Sequence, residues 1–247
     1  MTRGGEPRGP RNQAVVDAAR LHRSRHRRER SQTLIEGPQI LAEALAAGVA
    51  VESAFAASSD DATFDLGERH GFDVVPVDDA ALARLADTKS PRGPVAVIPI
   101  PGDETHHTGN LLVAHGVSDP GNLGALIRTA AAFGWGVGVT PGSADPWSPK
   151  TMRGAMGGHF RTKLIRLDDL GDLTAWTTVA TVVDGGMPPS DVSSGPYAVL
   201  VGEEATGLPA DVVDECDIQV TIPMPGGTES LNAGVAAGIV VYELSLR

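Results

Sequence analysis

The chain has 247 residues, 41% hydrophobic, 21% charged and 4% aromatic, with 30 Gly and 18 Pro, a globular composition that excludes fibrous and wholly disordered classes. That length accommodates one or two domains. A net charge of −11 argues against a uniformly basic nucleic-acid-coating protein, and the single cysteine, Cys216, excludes an intrachain disulfide or a multi-cysteine metal site.

Residues 1–11, rich in Gly, Pro and Arg, read as a disordered basic tail. From Asn12 onward Val15, Ala18 and Ala19 recur at helical spacing, and a continuous helix would align Arg20, Arg23, Arg27 and Arg30 on one face. Strands are expected over 33–35, 51–56, 73–76 and 95–100, and helices over 39–47, 61–70 and 78–86, giving an α/β unit over 12–100. The polar stretch 101–109, with Gly near each end, is the expected linker. A second α/β unit then occupies 110–247, with strands over 111–114, 136–140, 163–166, 178–183, 197–201 and 218–222. Runs such as Ala198-Val-Leu-Val201 do not alternate, so these strands are buried on both faces of a mostly parallel sheet covered by helices. The final helix, 231–246, is almost wholly apolar and is expected to be buried, against the core or a second copy of the chain. The longest uncharged apolar run, 231–242, falls short of the roughly 20 residues of a spanning helix. The N-terminus lacks the apolar stretch of a signal peptide, which points to a cytoplasmic protein.

Charge is unevenly placed. The first 30 residues carry nine arginines against three acids, so the acidic excess belongs to the rest of the chain. Lys150, Arg153, Arg161, Lys163 and Arg166 form a second basic stretch without an intervening acid. Two basic patches on an acidic body suggest a polyanion such as RNA, touched at two places.

Three segments of the second unit each follow an expected strand, where ligands of open α/β sheets collect. Ser118-Asp-Pro-Gly-Asn122-Leu-Gly124-Ala-Leu-Ile-Arg128 opens a helix, and taken alone Asn122 reads as its cap. Val201-Gly202-Glu203-Glu204-Ala-Thr-Gly207-Leu-Pro209 is a glycine-bearing loop that lacks the Gly-Lys-Ser/Thr of a phosphate loop, and its paired carboxylates would repel a phosphate. Ile222-Pro-Met224-Pro-Gly-Gly-Thr-Glu-Ser230-Leu231-Asn232 feeds the last helix through a stiff Pro-rich loop. No Gly-x-Gly-x-x-Gly follows a strand, and His22 and His26 sit among arginines that would repel a cation, so neither a dinucleotide nor a metal is expected.

Together these segments resemble the three motifs of the SpoU/TrmH RNA ribose 2'-O-methyltransferases, within the SPOUT superfamily, over residues 12–247. Leu34-Ile-Glu-Gly-Pro38, the stretch 85–93 and Ser148-Pro-Lys150-Thr-Met-Arg153 add to the likeness. The resemblance implies a trefoil-knotted methyltransferase domain after a smaller, ribosomal-protein-L30e-like substrate-binding domain. It also implies a homodimer paired through the knotted domains, and transfer of a methyl group from S-adenosylmethionine to a ribose 2'-hydroxyl, with ribosomal RNA favoured. Methylation of tRNA, or a noncatalytic RNA-binding role on the same fold, remain as alternatives. Carried over by motif position, the reactive cluster is Asn122, Arg128, Glu203, Ser230 and Asn232, with Glu203 orienting Arg128 or Asn122. The cofactor contacts are Gly202, Gly207, Ile222, Met224, Leu231, Asn232 and Ala233. Arg20, Arg23, Arg27, Lys150, Arg153, Arg161 and Lys163 are the implied RNA contacts. Arg128 is read as a phosphate anchor rather than a base, because a guanidinium resists deprotonation. Two departures stand out: Ala233-Gly234 replaces the family's usual Val-Ser, implying a closer helix crossing, and Gly154 stands where a Ser is often found.

Overall fold

A computed structural model of the chain describes residues 6–88, 90–91, 93–102, 107–193 and 195–246, arranged as two compact units. The first comprises Met1–Gly102 together with Trp147–Phe160, and the second Asp103–Pro146 with Arg161–Arg247. In the first, strands β1 (Gln32–Glu36), β2 (Ser53–Ala57), β3 (Asp73–Val77) and β4 (Val95–Pro99) form a mixed sheet in the order β1-β4-β2-β3. Only β2 and β3 run parallel. Side chains alternate across the sheet with period two. Leu34, Phe55, Val95 and Val97 pack with Val15, Leu21 and Leu82 on one face, while Ile35, Ala54, Ala96 and Ile98 pack with Ile40, Leu41 and Met152 on the other. Helices α1 (Gln13–Ala19) and α5 (Asp79–Leu85) supply residues of the first cluster, and α3 (Pro38–Ala46) and α7 (Pro149–Ala155) of the second, against which Leu66 of α4 (Asp61–His70) also packs.

Three expectations are corrected here. The tail is ordered from Arg8: its backbone N–H donates to the Pro76 carbonyl at 2.8 Å, and the Arg8 carbonyl accepts from the Asp78 N–H at 3.1 Å, adding a bridge beside β3. Residues 1–5, and Lys89 and Arg92 of the 85–93 segment, lie outside the described residues. The segment carrying Lys150 and Arg153 packs with the first unit rather than the second, because Met152 enters its core and the Thr33 hydroxyl donates to the Trp147 carbonyl at 2.6 Å.

The third correction concerns the arginine face. The expected single helix is α1, a 3-10 turn over Arg20–His22, and α2 (Ser24–Arg30), broken where Arg23 adopts φ −92° and ψ 127°. Arg27 is thereby turned inward, 3% exposed, and its Nη1 donates to the carbonyls of Leu21 at 2.7 Å and His22 at 2.9 Å. It satisfies acceptors at the break and is withdrawn from any RNA-facing row.

In the second unit β5 (Leu111–Ala114), β6 (Gly136–Val139), β7 (Leu164–Arg166), β8 (Thr177–Thr181), β9 (Tyr197–Val201) and β10 (Ile218–Val220) form a sheet in the order β10-β8-β9-β5-β6-β7. Every pairing is parallel. The central β5 and β9 are buried along their whole length, as their unbroken apolar runs require. Helices α6 (Pro120–Phe133) and α9 (Ala233–Ser245) cross closely at Gly234, where an added Cβ would lie 2.8 Å from that of Ala125. The glycine substitution at 234 therefore produces the tight crossing expected of it. Helix α9 is only half covered within the chain: Val235, Ile239, Tyr242 and Leu246 are exposed at helical spacing. No helix among the described residues is long and apolar enough to cross a membrane.

Replacing Arg27 with Ala strips the Leu21 and His22 carbonyls of a buried donor and is expected to cost about 2 kcal/mol in urea unfolding. Arg23→Ala, at an exposed position, should stay within about 0.5 kcal/mol of wild type.

Candidate active site

Asn122 does not cap α6. Asp119 does, accepting from the Gly121 N–H at 2.7 Å and the Asn122 N–H at 2.9 Å, with Pro120 in the first turn. The Asn122 side chain is thus free for other contacts. Its Nδ2 donates to Glu204 Oε2 at 3.0 Å, and its Oδ1 accepts from Asn232 Nδ2 at 2.9 Å. Asn232 in turn caps α9, its Oδ1 accepting from the backbone N–H of Gly234 at 3.0 Å and Val235 at 3.3 Å. With its oxygen fixed by those donors, its amide nitrogen must face the other way, and it also reaches Glu204 Oε1 at 3.3 Å. Three segments far apart in sequence converge on one amide–carboxylate–amide triangle.

Glu204 is the member of the triangle that the sequence reading did not place in the site. The expected partner of Asn122 or Arg128 was Glu203, but Glu203 instead accepts from the Ser118 hydroxyl at 2.5 Å and the Thr206 hydroxyl at 3.4 Å. Nor is Glu203 a helix cap, since α8 (Ala210–Glu215) starts after Pro209 without a side-chain cap. Arg128, six residues past Asn122 on α6, is exposed and has no ion-pair partner among the described residues.

Beside the triangle a cleft of about 240 Å³ opens at the carboxyl ends of β8, β9 and β10. Gly202, Gly207, Ile222, Met224, Leu231 and Ala233, the expected cofactor contacts, all line it, as do Glu203, Glu204 and Ser230. Asn232 stands at its edge, in the triangle. Its remaining lining is mainly apolar, from residues such as Val182, Val201 and Val240.

Gly202 lines this cleft where its loop turns back on itself, and Gly186 lies beside β10, whose end borders the cleft. A Cβ on Gly202 would lie 2.2 to 2.4 Å from backbone atoms of Gly207 and Leu208. One on Gly186 would lie 2.6 to 2.9 Å from the backbone of 219–221. The role of Gly202 is therefore close backbone passage as well as lining. Cys216 is not among the residues lining the cleft, and burial pushes its thiol up to about 11.

The basic residues divide. Arg20 is exposed and pairs with Asp17 at 2.8 Å, Arg23 is exposed, and Arg153 pairs with Asp87 at 2.5 Å. Lys150, Arg161 and Lys163 are exposed, each with interactions of its own. His22 faces the Leu85 carbonyl at 3.0 Å and His26 faces Glu29 at 3.2 Å, so the pair is engaged locally.

Residues 109–242 match the SpoU rRNA Methylase family, and residues 12–96 match an MRM3-like substrate binding domain. The chain belongs to the SpoU rRNA methylase family. Among its relatives, the 23S rRNA (guanosine(2553)-2'-O)-methyltransferase RlmP of Bacillus subtilis is 32% identical, over 94% of this chain and 96% of its own. The 23S rRNA (guanosine-2'-O-)-methyltransferase RlmB of Acinetobacter baylyi is also 32% identical, over 72% of this chain and 80% of its own. Among solved structures, the SpoU methyltransferase AviRb of Streptomyces viridochromogenes, in complex with its cofactor AdoMet, superposes with TM-score 0.85 at 25% identity, covering 96% of this chain and 98% of that one. The α/β architecture with its parallel sheet is therefore the SPOUT methyltransferase fold preceded by a substrate-binding domain.

Gly202→Ala is expected to cost about 3 kcal/mol or to prevent folding, because backbone on both sides of the clash must move. Gly207→Ala, which meets open space but has φ +69°, should cost only about 1 kcal/mol. Thermal melts of the two variants make the comparison.

Proposed function

We propose that the chain methylates a ribose 2'-hydroxyl of ribosomal RNA, using S-adenosylmethionine bound in the cleft at the ends of β8, β9 and β10. The observation that carries this reading is the Asn122–Glu204–Asn232 triangle beside that cleft. The residues fit the cofactor: the apolar walls suit a neutral adenine ring, and Glu203 and Glu204 suit a cation. When bound, S-adenosylmethionine supplies an electrophilic methyl group. Ile222, Met224, Leu231 and Ala233 would pack on the ring, and the backbone at Gly202 and Gly207 would hydrogen-bond its edge.

An unactivated hydroxyl is a weak nucleophile, so the site must align it and ease its deprotonation. Arg128 is well suited to hold the phosphate next to the target ribose: it is exposed and unpaired, and a guanidinium binds phosphate through two parallel hydrogen bonds. Fixing that charge beside the 2'-oxygen favours loss of its proton. The triangle would hold the Asn122 amide rigid at the start of α6, and Ser230 at the cleft offers a hydroxyl for positioning. In the first unit, Arg20 and Arg23 would contact RNA phosphates, with Lys150 and Arg153 of the segment packed there and Arg161 and Lys163 of the second unit. We place the protein in the cytoplasm with its RNA, and read residues 12–100 as the substrate-binding domain and 110–247 as the methyltransferase domain. The trefoil knot belongs to the same reading and rests on the family resemblance alone.

The exposed side of α9 supports a homodimer. Val235 is 52%, Tyr242 49% and Leu246 66% exposed along one side, and Phe133 stacks edge to face on Tyr242 at 6.2 Å. A contiguous apolar stripe of this kind is stable when a second copy covers it.

With methyl-labelled S-adenosylmethionine and ribosomal RNA, wild type should place label on one ribose 2'-oxygen, located by reverse-transcription mapping. Arg128→Lys should bind the cofactor unchanged and lose about 100-fold in turnover; wild-type turnover would remove Arg128 from the mechanism. Tyr242→Glu should shift the light-scattering mass from dimer to monomer, and a monomeric wild type would refute the proposed pairing.

A further inference from the structure

We propose that Glu203 makes the cofactor cleft selective for charge, so that it holds the sulfonium donor in preference to the neutral-sulfur by-product. This inference rests on the reading of the cleft as the S-adenosylmethionine site. Among the described residues, the cleft lining contains two carboxylates, Glu203 and Glu204, and no Lys, Arg or His. Both carboxylates accept only from neutral groups: Glu203 from the Ser118 and Thr206 hydroxyls, Glu204 from the Asn122 and Asn232 amides. Neither is in an ion pair among the described residues. Hydroxyl and amide donors orient a carboxylate without cancelling its charge, so the cleft keeps a negative field. The apolar remainder of the wall screens that field less than water does.

The ligand's own charge answers it. S-adenosylmethionine carries one positive charge more than S-adenosylhomocysteine. As the methyl's new bond to the ribose oxygen forms, the carbon–sulfur bond breaks, its electron pair returns to sulfur, and the hydroxyl proton passes to water. The attraction is therefore present for the donor and lost for the by-product, which favours exchange after each turnover. Glu203 is assigned this role ahead of Glu204 because Glu204 is exposed and engaged by both amides of the triangle, whereas Glu203 is half-buried in the cleft wall and tethered to the loop before α6 by Ser118.

The test is calorimetric titration of the full chain with S-adenosylmethionine, S-adenosylhomocysteine and sinefungin, whose ammonium group replaces the sulfonium. Wild type should prefer the two cationic ligands over S-adenosylhomocysteine by about tenfold, and Glu203→Gln should reduce that preference to about threefold or less. Ser118→Ala removes the tether and keeps the charge, so the preference should narrow by less than in Glu203→Gln. Equal weakening of all ligands by Glu203→Gln, or a ratio in Ser118→Ala as narrow as in Glu203→Gln, overturns the proposal. Should the Gln variant not fold, the wild-type ratio is followed from low to high salt: it should fall as screening rises, and a constant ratio also overturns the proposal. Wild type that binds none of the three overturns the cofactor reading itself, whereas wild type that binds all three equally overturns only the charge selectivity.

Discussion

The two ends of the Asn232 amide hold the candidate site together. Its oxygen stops the N-terminus of α9 from fraying by accepting two backbone N–H groups, and its nitrogen bridges Asn122 and Glu204. Aspartate could keep the cap but would bring a third carboxylate against Glu204 and could not donate to it. Serine could cap without spanning the distance. Only a residue with an acceptor and a donor on one planar group meets both demands, so a residue that looks like an ordinary cap also sets the geometry of the Asn122–Glu204–Asn232 triangle.

The same division of labour explains why Asn122 can take part. A helix start needs one good acceptor, and Asp119 provides it three residues earlier. The Asn122 side chain is then surplus to the cap and can turn toward Glu204. A sequence scan assigns the cap to whichever of these two residues it reaches with helical spacing, and the choice depends on where the chain turns, which Pro120 decides.

Much of the molecule was legible beforehand. Unbroken apolar runs at 111–114 and 197–201 declared the centre of a parallel sheet, and the cleft residues followed from motif positions at strand ends. What escaped the sequence were choices between neighbours. Glu203 and Glu204 are adjacent and chemically identical, and only the path of the loop decides which one reaches the amides. The arginine face failed because periodicity assumes an unbroken helix, while the extended Arg23 resets the phase and sends Arg27 inward. The segment Trp147–Phe160 was misassigned because linear order does not reveal that Met152 completes the core of the preceding unit. Gly186 gave no local signal at all, since the backbone it must clear is more than thirty residues away in sequence.

Such clearance links fold to site. Parallel neighbours β8, β9 and β10 come from separate crossovers, so the loops leaving their carboxyl ends must pass one another within a small area. At Gly186 the backbone of 219–221, and at Gly202 the far side of its own loop, approach more closely than a methyl group permits. The reward for that crowding is a cleft whose walls are largely backbone and small side chains, with few charged groups and little freedom to relax. A loosely packed loop cluster could present the same residues, but it would let water in and blur the distances among Asn122, Glu204 and Asn232. The glycines thus bear on the site's electrostatics: by removing side chains where backbone approaches backbone, they let the largely apolar wall lie close to the carboxylates, where a unit of charge on a ligand is felt more strongly than in bulk water.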